Sequence, residues 1–182
     1  MFIQTEPTPN PATLKFLPGR EVMRRGTLDF KEAAAAGSSP LAMRLFTIEG
    51  VAGVFLGSDF VTVTKSDGAD WTPLKPQVLA AIMDHYASGA PAANEDGADT
   101  ASTDEDSDTV RQIKELLDTR IRPAVAQDGG DIIFRSFEDG VVYLRMQGAC
   151  SGCPSSSATL KHGIENMLKY YVPEVVSVQA VD

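Results

Sequence analysis

Gly148-Ala149-Cys150-Ser151-Gly152-Cys153-Pro154-Ser155-Ser156-Ser157 holds both cysteines of the chain. Two thiols separated by two residues can reach one metal centre, and the small Ser151 and Gly152 let the turn tighten without a Cβ clash. The alternating run Val142, Leu144, Met146 leads in and predicts a strand. The run Leu160, Ile164, Met167, Leu168, Tyr171 leads out at helical spacing and predicts a helix that stops before Pro173. Pro154 suits the first helical position, where its missing N–H costs nothing. Cys153 then falls at or near the N-cap, where the positive helix end favours the thiolate, the form that binds metal. The stretch reads as a metal hook held between a strand and a helix.

Upstream of the hook, Ile132–Phe137 and Val141–Met146 flank Asp139-Gly140, a two-residue hairpin turn of the primed type. Val110, Ile113, Leu116, Leu117, Ile121 and Val125 form a helix stripe, which Pro123 should kink or restart and Gln127-Asp128-Gly129-Gly130-Asp131 should end. Val175–Val181 adds a last strand. Residues 109–182 therefore predict an α-β-β-α-β domain. Residues 1–88 predict a second small domain without cysteine. It has short strands at 2–5 and 13–17, a weak one near Thr27–Phe30, and a helix opened by Pro40. A hairpin around Gly57-Ser58-Asp59 and an amphipathic helix over 74–88 complete it. The fold class is α+β: two small domains joined by a disordered acidic linker at 89–108.

That linker carries no large apolar residue and cannot bury enough surface to offset its ordering entropy. Glu95, Asp96, Asp99, Asp104, Glu105, Asp106 and Asp108 concentrate there; the whole chain is at −9, and without these seven it would be at −2. The net charge argues against nucleic-acid binding. No apolar run reaches the roughly 18 residues of a membrane helix. Two cysteines are no disulfide framework and suggest a reducing compartment. The start Met1-Phe2-Ile3-Gln4-Thr5-Glu6 has neither a basic n-region nor an apolar h-region and does not read as an Arg/Ser-rich presequence. The expectation is a bacterial cytosolic protein, or a mitochondrial matrix protein if this is a processed chain.

Residues 109–181 resemble the C-terminal module of NifU-like (Nfu-type) iron–sulfur scaffold and carrier proteins. The resemblance rests on Leu117–Pro123, Asp128-Gly129-Gly130-Asp131, Gly148 through Ser156, Thr159-Leu160, Gly163-Ile164-Glu165 and Tyr171–Glu174. Residues 1–88 resemble the N-terminal domain that precedes it in mitochondrial Nfu and its bacterial relatives, on Thr8-Pro9-Asn10-Pro11, Leu14-Lys15-Phe16, Ser39-Pro40-Leu41 and Ser58-Asp59-Phe60. The resemblance implies a labile [4Fe–4S] cluster bridging a homodimer through Cys150 and Cys153 of each C-terminal domain. It also implies upstream cluster-assembly donors and apo iron–sulfur clients, such as lipoyl synthase or respiratory proteins. The N-terminal domain would bind partners or clients.

The residues themselves leave alternatives. Two ligands do not complete an iron–sulfur or zinc site, which normally takes four, and there is no third cysteine. A two-fold dimer is the simplest completion. Zinc in the same site is chemically open, since thiolates discriminate weakly. So is a silent buried CxxC, or an interaction protein in which the N-terminal domain does the work. A thioredoxin-like dithiol also sits between strand and helix. Against it, only 29 residues follow Cys153, too few for the sheet that fold needs. His85 and His162 each stand alone and are expected at the surface. Asp128 and Asp131 are expected to cap or bond locally around a Gly129-Gly130 turn. Trp71 and Tyr170-Tyr171 are expected in the core or an interface. No catalytic centre is legible.

Overall fold

The computed structural model describes residues 2–94, 107–150 and 154–181. The chain forms two compact units, divided at Thr100 and Ala101. Among the described residues, no helix is long and apolar enough to cross a membrane. The expected linker lies largely outside the described residues.

Unit 1 is a five-stranded antiparallel sheet in the order β1-β2-β5-β4-β3: β1 Gln4–Pro7, β2 Thr13–Leu17, β3 Leu28–Phe30, β4 Val51–Leu56 and β5 Val61–Lys65. Helix α1, Pro40–Phe46, packs on β4 and on α2, Trp71–Ala87. A 3₁₀ turn, Ala33–Ser38, takes the alanine stretch. Phe16, Leu41, Leu45, Leu56, Val63 and Ile82 are fully buried between these layers. Helix α2 starts three residues before the expected Leu74 because the Asp70 side chain accepts from the Thr72 N–H at 2.9 Å, an N-cap that tolerates Pro73 in the first turn.

The segment after α2 departs from expectation. Residues 90–94 are not free linker. Ala92 and Ala93 are buried in the unit 1 core. The Ala92 carbonyl accepts from the Ser39 hydroxyl at 2.6 Å and from the Leu41 N–H at 3.4 Å. Asn94 N–H donates to Ser38 O at 2.7 Å. Ser39 is also the N-cap of α1, accepting from Ala42 N–H at 3.0 Å. Small alanines fit where large side chains would not, so a segment without bulky apolar residues still finds a packed place.

Unit 2 follows the expected α-β-β-α-β order. Helix α3, Asp108–Leu116, continues as a π-type turn, Leu117–Ile121, and then as α4, Arg122–Gln127. Pro123 supplies no N–H and its ring crowds the carbonyl of Thr119, so the ladder widens and Arg122 N–H bonds Leu117 O. β6, Gly130–Glu138, and β7, Val141–Gly148, form the hairpin. Asp139 and Gly140 take φ of 50° and 79°, as a primed turn requires. Helix α5, Pro154–Tyr171, then leads to β8, Ser177–Val181, which pairs parallel with β7. The Glu165 carboxylate ties α5 to β8 by accepting from Val178 N–H at 3.1 Å. Ile113, Leu117, Ile132, Leu144, Leu168 and Val178 fill the core between the sheet and the helices.

Candidate metal centre

The site grows out of the end of the β6–β7 hairpin. Gly130 pairs with Gly148 and Asp131 with Gln147, so the start of β6 lies beside the end of β7. Asp128 is the C-cap of α4, and Gly129 at φ 80° reverses the chain into β6. Ala149 N–H donates to Gly129 O at 3.2 Å, which stitches the residue before Cys150 to that turn. A Cβ on Gly130 would lie 2.6 Å from the Cys150 sulfur; only glycine leaves room for the thiol.

Cys150 is 7% exposed and packs into the unit 2 core as a free thiol. Burial, followed by the negative charges of Asp128 and Asp131, pushes its pKa up to about 12. At neutral pH the metal-free chain therefore holds a protonated thiol, and loading of a metal must expel that proton. In a redox pair the attacking thiol has a depressed pKa, so Cys150 does not suit that role. Cys153, the other expected ligand, lies outside the described residues, as do Ser151 and Gly152. Helix α5 does open at Pro154. The two thiols that the CxxC sequence supplies would make half of a four-thiolate donor set, soft ligands suited to iron–sulfur or zinc. Among the described residues, no group of three or more His, Cys, Asp or Glu could complete a metal site.

Asp131 does more than bond locally. It is 4% exposed, and its own carboxylate accepts from Ile132 N–H at 2.8 Å. Arg122 of α4 grips it with Nε and Nη2, both at 2.8 Å, while Nη1 reaches Asp118 at 3.1 Å. Those bonds hold the Arg122 pKa above its ordinary value, the Asp131 hydrogen bonds most of all. The bidentate fork locks α4 to β6 next to Gly130, and so fixes the wall against which Cys150 packs. Sequence reading missed Arg122. Its one signal is a cation nine residues before a buried Asp, and that pairing exists only once Gly129 has turned the chain.

The two histidines separate. His162 is exposed, as expected. His85 is not at the surface: it is 1% exposed, with Nε2 at 3.0 Å from Pro91 O. It closes over the packed 90–94 segment rather than binding metal. Trp71 packs beside Phe16, its indole N–H donating to Pro11 O at 3.3 Å. Tyr170 is 80% exposed.

Comparison with known proteins covers both units. The family described as "Scaffold protein Nfu/NifU N terminal" matches residues 3–89, and the "NifU-like domain" matches residues 113–179. The chain is 58% identical over 184 residues to the "NFU1 iron-sulfur cluster scaffold homolog, mitochondrial" of Drosophila sechellia, covering 100% of this chain and 65% of that protein. It is 59% identical to the protein of the same name from Drosophila persimilis, with the same coverage. The chain thus spans about 65% of the length of these curated relatives. A solution NMR structure of a NifU-like protein from Saccharomyces cerevisiae aligns at a TM-score of 0.48 and 25% identity, over 53% of this chain and 87% of that one. With an Nfu N-terminal domain in unit 1 and a NifU-like domain in unit 2, the chain belongs to the Nfu/NifU family of scaffold proteins.

Proposed function

We propose that this chain is an iron–sulfur cluster scaffold and carrier, and that it holds a labile [4Fe–4S] cluster as cargo between two copies of itself. Cys150 and Cys153 of each chain would supply the four thiolates. The observation that carries the reading is Cys150 two residues beyond β7 and ahead of α5, in a CxxC sequence in a chain with no third cysteine. A cubane needs four ligands, so one chain brings half of them. The names of the relatives, iron–sulfur cluster scaffold homologs, support an iron–sulfur cargo.

Lability follows from that design. Separating the two chains removes half of the ligands at once, and apo-protein thiolates can take their place. The partners are then upstream donors that load the cluster and apo clients that receive it. No catalytic residue is assigned. The relatives carry the word mitochondrial in their names, which supports a matrix setting. The bacterial cytosolic alternative has no support of that kind.

Anaerobic reconstitution tests the reading, with iron and sulfide counted per chain and mass measured in solution. The expected holo-protein is a dimer with about two iron atoms per chain. Cys150→Ser and Cys153→Ser should each abolish stable binding. A monomer with a full cubane would overturn the bridging arrangement. Zinc bound in preference to the cluster would overturn the cargo.

A further inference from the structure

Unit 1 carries two clefts that share one arginine. The larger, about 660 Å³, lies between the loop 19–26 and the segment 89–94, with Arg20, Arg24 and Tyr86 in its lining. The smaller, about 420 Å³, is lined by Arg20 again, together with Phe2, Leu17, Glu21 and Asp59. Both volumes fall in the roughly 300–1,000 Å³ range of ligand clefts.

The walls are fixed without a partner. Val22 and Met23 bury their side chains in the core, and both their N–H groups donate to Ser58 O, at 2.8 and 3.2 Å. The opposite wall is held by Ser39 on Ala92 O and by His85 on Pro91 O. Little ordering entropy remains to be lost when something docks.

The chemistry of the two clefts differs. In the larger, Arg20 and Arg24 face one carboxylate, Glu21, which lies 3.5 Å from Arg24. The Arg20 guanidinium lies over the Tyr86 ring, 5.8 Å from its centroid. The Tyr86 hydroxyl is buried and has no hydrogen-bond partner; burial also raises its pKa, so it stays a donor. The smaller cleft opposes Arg20 with two carboxylates, Glu21 and Asp59, and presents the Phe2 side chain at 80% exposure. A carboxylate is drawn to the first cleft and repelled from the second. An apolar side chain suits the second.

We propose that unit 1 docks an extended segment of a partner protein in which an acidic residue adjoins a large apolar one. The carboxylate pairs with Arg20. The Tyr86 hydroxyl, which has no partner of its own, is the second donor to the same carboxylate. The apolar side chain settles on Phe2 and Leu17. This docking needs no cluster and stands apart from the carrier reading.

Fluorescence anisotropy on the full metal-free chain tests it, with a fluorescein-labelled Gly-Glu-Leu-Glu-Leu-Gly peptide, its Gln counterpart and an oligo-uridylate as probes. The acidic peptide should bind saturably and weaken with salt. Binding should fall about tenfold for the Gln peptide and for Arg20→Ala, since each removes a charge-assisted pair, and about threefold for Tyr86→Phe. Arg20 is exposed and Tyr86→Phe keeps the ring, so both variants should melt as the parent does. No saturable binding of the acidic peptide would overturn the proposal. So would unchanged binding by Arg20→Ala, or equal binding of the oligo-uridylate. None of these outcomes touches the cluster stoichiometry.

Discussion

Gly130 and Cys150 exclude a side chain between them: a Cβ on Gly130 would meet the Cys150 sulfur at 2.6 Å and the Gln147 carbonyl oxygen at 2.8 Å. The sulfur can rotate away; the strand carbonyl cannot. Gly130→Ala should therefore destabilise unit 2 by about 1–3 kcal/mol, the usual range for overpacking. It should also lower the iron retained after anaerobic reconstitution, because the displaced thiol leaves its seat. Urea denaturation and iron analysis check both. An alanine variant that loads and unfolds as the parent does would refute the packing argument.

Arg122 and Asp131 should behave as one unit. Arg122→Gln removes the bidentate cation from the Asp131 carboxylate, whose side chain is 5% exposed. The expected cost is about 2–4 kcal/mol, toward the lower end because the Arg122 side chain is 35% exposed and water partly screens the pair. Adding Asp131→Asn should recover part of that loss, since the stranded charge is then gone. A double-mutant cycle by chemical denaturation measures the coupling. Strictly additive losses would mean that the fork does not couple the two residues.

His85 sets a pH dependence for unit 1. Its pKa is lowered from 6.5, first by burial, which disfavours the charged ring. The unfolded chain then binds a proton below about pH 6.5 that the folded chain refuses, so stability is whole above that pH and falls as pH drops toward the folded value. His85→Gln keeps an amide donor for Pro91 O and should flatten the slope between about pH 6.5 and 5, above the carboxylate range. Thermal melts of parent and variant across that window decide it. An equal slope in both would show that another group titrates.

Periodicity made most of the fold legible. The unit 2 order, the Asp139-Gly140 turn and the start of α5 at Pro154 follow from side-chain spacing and from backbone preferences that act over a few residues. What stayed hidden depends on partners distant in sequence. Ala92 and Ala93 look like linker in composition, yet Ser39, more than fifty residues earlier, gives their backbone a buried donor. His85 looks like a surface residue on a helix until Pro91 folds back over it. Around Cys150, the strand before it and the helix after it were plain from spacing, whereas the pairing of Arg122 with Asp131 was not.

The parallel pairing of β7 with β8 has a consequence for how the site comes into being. The hairpin of β6 and β7 closes over two residues and can form while the chain is still being made. β8 pairs with Val141–Arg145 only after α5 and the five residues Ser177–Val181 have been synthesised. The cysteine stretch starts at the hairpin, where Gly148 pairs with Gly130 and Ala149 bonds Gly129, and runs on into α5, so its far end is anchored last. Long-range parallel pairing is slow to form. A newly made chain therefore passes through an interval in which the hairpin exists but the thiol-bearing turn is still slack. In that interval Cys150 is not yet sheltered by the core.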